Sequence, residues 1–123
     1  MGDRLAFDLK LWAPTEKAIK AGIAFGGFYG DRFYAMLLTY RGGFRGNHIH
    51  PHDQHTILLS GRAKYLVKKE GVIQTFELKP GDTLDVEAGI PHVLVADEEI
   101  LTVEWWDGEF KEEPHLVLDI QNK

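Results

Sequence analysis

The sequence predicts an all-β fold, a closed barrel or double-sheet jelly roll, and three observations support it. Glycine is abundant, at 13 of 123 residues, and separates short runs of β-branched and aromatic residues. Those runs recur at short, regular spacing with turn residues between them, the pattern of antiparallel barrels and jelly rolls. Only Glu16 to Ala21 reads as helical, and it is short.

Taken in order, Phe7 to Trp12 alternates apolar and polar residues and reads as a half-buried strand that Pro14 ends. Phe33 to Tyr40 is a second, more apolar strand. Gly42-Gly43 turns the chain, Arg45 to His50 can be extended, Pro51 to Asp53 turns, and Thr56 to Leu59 is a strand closing at Ser60-Gly61. Arg62 to Lys68 and Val72 to Leu78 are the arms of a hairpin around Lys69-Glu70-Gly71. After the Pro80-Gly81-Asp82 turn, Thr83 to Val86, Val93 to Ala96, Ile100 to Trp106 and Leu116 to Ile120 supply four more strands. No internal repeat, low-complexity tract or linker marks a boundary, so residues 1–123 are expected to form one domain.

Composition removes several function classes. The chain has no cysteine, which excludes disulfide frameworks, thiolate zinc sites and cysteine nucleophiles, so any metal must take nitrogen and oxygen ligands. A formal charge of −5 gives no global attraction to phosphate backbones, and no cluster of Lys and Arg is interleaved with aromatics, so nucleic acid is not an expected partner. Arg32, Arg41, Arg45 and Arg62 could still make one pocket locally positive for a small anion. No apolar run approaches the roughly 18 residues of a membrane span. The stretch Met1 to Leu5 has no basic segment leading into an apolar one, so a secretory signal is not expected and a cytoplasmic location is.

The histidines carry the functional information. Four of the six lie in the window His48-Ile49-His50-Pro51-His52-Asp53-Gln54-His55. Residues two apart on a strand point to one face, so His48 and His50 can offer two imidazoles to one ion. An isolated pair of this kind sits as readily on a solvated strand face. Gln54 and His55 compete as a further ligand, and because adjacent strand residues face opposite ways, only one of them can point inward. His52, beside Pro51 in a turn, reads as a rim residue and a candidate for catalysis, and His115 as an ordinary strand or loop histidine. Ile100 to Trp106 puts Thr102, Glu104 and Trp106 on one face and Leu101, Val103 and Trp105 on the other. If the first face looks inward, Glu104 is a candidate general base and Trp106 a platform for a sugar ring. If it does not, Glu104 pairs with an Arg on the outside and the tryptophans are core.

Two spacings point further. From Gly42, five residues precede His48, one separates it from His50, three precede Gln54 and six more precede Gly61. Later, Gly81 leads through Glu87 and Gly89 to His92 and Ala96. Over residues 42–61 and 81–96 the chain resembles the cupin superfamily, whose motifs are G-x5-H-x-H-x3,4-E-x6-G and G-x5-P-x-G-x2-H-x3-N. The resemblance implies a cupin jelly-roll barrel with one divalent transition metal, zinc, manganese, iron, nickel or copper, on His48, His50, Gln54 and His92. Three positions depart from the motifs: Gln54 stands for Glu, Glu87 for Pro and Ala96 for Asn. A neutral amide at position 54 implies weaker metal binding but stronger polarisation of a substrate oxygen.

Arg45-Gly46-Asn47-His48-x-His50, with the tryptophan-rich end Glu104 to Phe110, is similar to cupin domains of bacterial polysaccharide biosynthesis, among them nucleotide-sugar epimerases and ketoisomerases. That resemblance implies a metal-assisted isomerase or epimerase acting on a sugar, sugar acid or nucleotide sugar. A metal-dependent oxygenase and a non-enzymatic ligand-binding cupin are the alternatives. A homodimer is expected, formed through an edge strand, with Phe33 to Leu38 and Leu116 to Ile120 as the apolar runs available for it.

Overall fold

The computed structural model describes residues 9–12, 20–111 and 113–114. Its strands form two antiparallel sheets. One has the order β1 (Lys10–Leu11), β2 (Gly22–Tyr29), β3 (Arg32–Thr39), β10 (Ile100–Trp106), β5 (Gln54–Ser60), β8 (Thr83–Val86). The other has the order β11 (Glu113–Pro114), β4 (Phe44–Ile49), β9 (His92–Ala96), β6 (Ala63–Lys69), β7 (Val72–Leu78). This is the all-β jelly roll that the glycine-punctuated strands predict.

The β6–β7 hairpin closes with Lys69 opposite Val72 around Glu70 and Gly71, whose φ values of 51° and 77° are both positive. Such a two-residue turn matches the right-handed twist of the paired strands. β2, an eight-residue strand with three glycines, is not among the expected strands. It pairs along its whole length with β3, so the apolar run at Phe33 to Leu38 lies between two partners instead of at an edge. Glu16 to Ile19, His115 and Leu116 to Ile120 lie outside the described residues.

Inward-facing side chains divide the interior into two ends. One is an apolar core in which Leu58, Val86, Leu94 and Ile100 pack with Ala63, Val67 and Leu78. Toward the other end the inward residues become polar, with Thr39, Thr56, Thr102, Gln54, Glu104, His50 and His92 all buried. A polar interior costs free energy unless its groups are paired or bind something. An aromatic cluster of Trp12, Phe33, Trp106 and Phe110 closes this end.

Candidate metal centre

His48 and His92 are directly opposed across the β4–β9 pair, and His50 follows at the end of β4. The pairing register slips here, with Gly46 opposite Val93 and His48 opposite His92, so Asn47 is the extra residue of a β-bulge. The bulge shifts the alternation, leaving Phe44 packed with Leu66 and Val93 on the outer side while Arg45, His48 and His50 turn inward. Gly46 is required for this. Its φ is +116°, and a Cβ there would lie 2.7 Å from the carbonyl oxygen of His92 and 2.9 Å from the Cα of Val93.

Two contacts hold the motifs together. The Gly89 N–H donates to the carbonyl of His50 at 2.8 Å, and the Ala88 N–H donates to the Asp53 carboxylate at 2.8 Å. Glu87, standing where the motif has Pro, lies on the surface 3.4 Å from the Lys69 ammonium. Ala96, standing for Asn, is buried and exchanges backbone hydrogen bonds with Gly42 and Gly43.

The three imidazoles converge. Ring centroids are 4.4 Å apart for His48 and His50, 4.8 Å for His48 and His92, and 5.1 Å for His50 and His92, and one nitrogen from each lies within 4.8 Å of the others. A carbonyl only accepts, so the Nδ1 of His92, 2.9 Å from the Ile90 oxygen, carries a proton, as does the Nδ1 of His50, 2.6 Å from the Lys111 oxygen. The lone pair of each ring is therefore on Nε2. His92 Nε2 is buried with no hydrogen-bond partner among the described residues. Burial, reinforced by the neighbouring His48 and His50, pushes the His92 pKa down to about 3, so this ring is neutral. A neutral imidazole oriented through its other nitrogen by a backbone carbonyl is the form in which histidine binds metal. The donor set fits one transition-metal ion.

Gln54 points inward and His55 outward. The Gln54 amide is held at every polar atom: Nε2 donates to Thr56 Oγ1 at 3.0 Å and to the Tyr65 hydroxyl at 2.7 Å, while Oε1 accepts from the Trp106 indole at 3.1 Å. Burial and the charge of Glu104 keep the Tyr65 hydroxyl protonated, its pKa well above the usual value. Glu104 is buried, as are Thr102 and Trp106, so this is the inward face of β10. Its charge also acts on Arg45, whose pKa is lowered by burial against the pull of Glu104. Arg45 spans the barrel, donating from Nε to Thr39 Oγ1 at 3.0 Å and from Nη2 to the Leu38 carbonyl at 3.1 Å. Glu104 thus combines parts of both sequence expectations, facing inward yet within reach of an arginine.

His52 packs against Gly108, where a Cβ would lie 2.5 Å from its ring. Gly108 lines a cleft of about 600 Å³ walled by Trp12, Phe28, Phe33, Trp106 and Phe110, with Arg32 at its edge. The cleft adjoins the histidines, since the His50 ring lies 5.4 Å from Trp106 and 5.6 Å from Phe110. Phe28 belongs to β2, whose glycines dilute its apolar pattern, and Phe110 lies beyond the end of β10, so strand periodicity marks neither as a wall of a site.

An antiparallel jelly roll enclosing a histidine triad from two separated motifs defines a cupin-type barrel. The cupin-domain profile matches residues 36–107, and the chain belongs to that family. Solved structures of the same fold include the capsular polysaccharide assembling protein CapF from Staphylococcus aureus, with a TM-score of 0.75 and 14% identity over 95% of this chain and 34% of that one. Bacillus subtilis oxalate decarboxylase OxdC, a deletion mutant, gives 0.73 and 16% over 87% and 30%. Lactobacillus farciminis oxalate decarboxylase in a formate complex gives 0.71 and 21% over 87% and 33%. The chain spans about a third of the length of these proteins. At such identities the likeness is one of fold. No curated protein matches the sequence.

Proposed function

We propose that this cupin holds one divalent transition metal on His48, His50, His92 and Gln54 and isomerises or epimerises a sugar, sugar acid or nucleotide sugar. The observation carrying the reading is the convergence of three imidazoles, two of them oriented by backbone carbonyls. Zinc, manganese, iron, nickel and copper all accept such nitrogen and oxygen donors. When bound, the ion would polarise a carbonyl or hydroxyl oxygen and acidify the neighbouring C–H.

The chain's own residues supply the rest. Tyr65, Thr56 and Trp106 fix the Gln54 carboxamide, whose oxygen keeps a second lone pair beyond the one used by the indole. Glu104 inside the barrel and His52 at the rim of the cleft are the acid–base groups. The aromatic walls of the cleft offer faces on which a sugar ring can lie, with Arg32 placed for an anionic substituent.

The test is elemental analysis of the purified protein beside His48→Ala and His92→Ala. The expected result is one equivalent of transition metal in the wild type and at least about a hundredfold weaker retention in both variants. Metal retained in full by His92→Ala would overturn the ligand assignment. The expected activity is oxygen-independent exchange of a substrate C–H with deuterated water. Turnover that requires dioxygen would move the reading to an oxygenase. A second reading, ligand binding without turnover, is favoured by the electrostatic pull between Glu104 and Arg45, which gives the buried carboxylate a structural partner. It predicts sugar affinity with no exchange.

A further inference from the structure

β10 belongs to one sheet and β11 to the other, so the chain from Asp107 to Lys111 crosses between the sheets at the polar end of the barrel. It lands beside the first histidine motif, with Glu113 opposite Ile49 and Pro114 opposite His48. Along this strap every residue is exposed except Phe110, which is half-buried against the aromatic cluster. A segment that buries so little apolar surface opens locally at low cost, so each point that fastens it matters.

The strap is fastened to the turn that follows β4. The Asp107 N–H donates to the Asp53 carbonyl at 3.0 Å, and Gly108 sits against His52, where a Cβ would come within 2.5 Å of three ring atoms. Phe110 packs against Trp106 with 4.7 Å between ring centroids and lies 5.6 Å from the His50 ring. At the far end the Lys111 carbonyl accepts the Nδ1 proton of His50 at 2.6 Å. One imidazole therefore has two duties, Nδ1 holding the strap and Nε2 offering its lone pair to a metal. Giving that lone pair to a cation makes the Nδ1 proton a stronger donor, and a carbonyl fixed at Nδ1 makes Nε2 more basic and sets its direction. Linkage makes the coupling reciprocal: the factor by which the docked strap raises metal affinity is the factor by which bound metal stabilises the docked strap.

Resting on the metal assignment proposed above, we infer that the Asp107–Lys111 strap and the metal bind cooperatively through His50, so that the Phe110 wall of the ligand cleft is seated more firmly in the metal-loaded protein. The cleft is then assembled in a fixed order, metal first and the carbohydrate-like ligand second. Zinc titrations by calorimetry and amide hydrogen exchange on the full chain read the two sides of the coupling. Gly108→Val drives a side chain into the His52 ring and lifts the strap, and zinc affinity should fall about tenfold or more, the cost of losing a group that orients a ligand. His52→Ala combined with Gly108→Val removes the obstruction and should restore most of that affinity, which general destabilisation would not allow. In the wild type, zinc added to the metal-free protein should slow exchange of the Asp107 amide by a similar factor. The Gly81 amide, bonded to the Leu58 carbonyl at the apolar end, should not respond. Zinc affinity unchanged in Gly108→Val, or an Asp107 amide that zinc leaves unmoved, would overturn the coupling with the metal site intact. A wild type that binds no zinc or other transition metal would overturn the metal assignment and the coupling together.

Discussion

His92 stands inside the barrel and His55 on its outer face, and their surroundings move their pKa values in opposite directions. Burial, followed by the neighbouring His48, takes the His92 pKa down to about 3. For His55 burial also opposes the charge, but hydrogen bonds to Asp85 and Asp107 outweigh it and raise the pKa above its usual value. The inner ring is held as a lone-pair donor, whereas the outer ring keeps its proton more readily than a free imidazole. Which sheet face a residue occupies therefore decides whether its imidazole can serve a metal, because a protonated ring has no lone pair to give.

The sharpest way to break this contrast is pH. Unfolded, His92 takes a proton near its ordinary 6.5, whereas folded it does so only near 3. Between those values the unfolded chain binds the proton that the fold refuses, so stability is lost as pH falls from about 6.5 toward 3. The loss from this group reaches roughly 4 kcal/mol in the metal-free protein. Urea titrations of the metal-free wild type and His92→Leu should show the wild type losing stability relative to the variant as pH falls, and parallel pH profiles would refute the burial argument.

Gly46→Ala should have the next largest effect, about 2–3 kcal/mol lost in the same titration, because the alanine meets both a positive φ and the His92 carbonyl. Metal retention should fall with it. Unchanged stability would mean that the bulge relaxes freely and does not set the approach of β4 to β9.

His55→Gln should have the smallest effect. Its partners are exposed, so the loss is about 0.5 kcal/mol, present below the ordinary pKa of 6.5 and vanishing as pH rises through the raised folded value. Imidazole resonances followed by NMR should show His55 titrating above 6.5 while His92 stays neutral down to acid pH.

Much of the fold was legible in the chain. The hairpin around Glu70 and Gly71, the strand from Thr83 to Val86 and the strand from Ile100 to Trp106 lie where alternation and turn residues place them. β2 was not legible, because Gly22, Gly26 and Gly27 dilute its apolar pattern. The glycine at 26 is explained only in three dimensions, where a Cβ would lie 2.7 Å from the Phe33 ring. The hydrogen bonds that occupy the Gln54 amide were equally hidden, since Tyr65 and Trp106 reach it from β6 and β10.

The sequence by itself determined the class of fold, the two motifs and the three histidines, because strand alternation and turn chemistry are local and motif spacing is a property of the chain. Only the tertiary structure decided which face of β10 looks inward. Thr102 and Glu104 make that face the more polar one, so hydrophobicity alone points the wrong way; what turns it inward is its pairing between β3 and β5 around the polar end of the barrel.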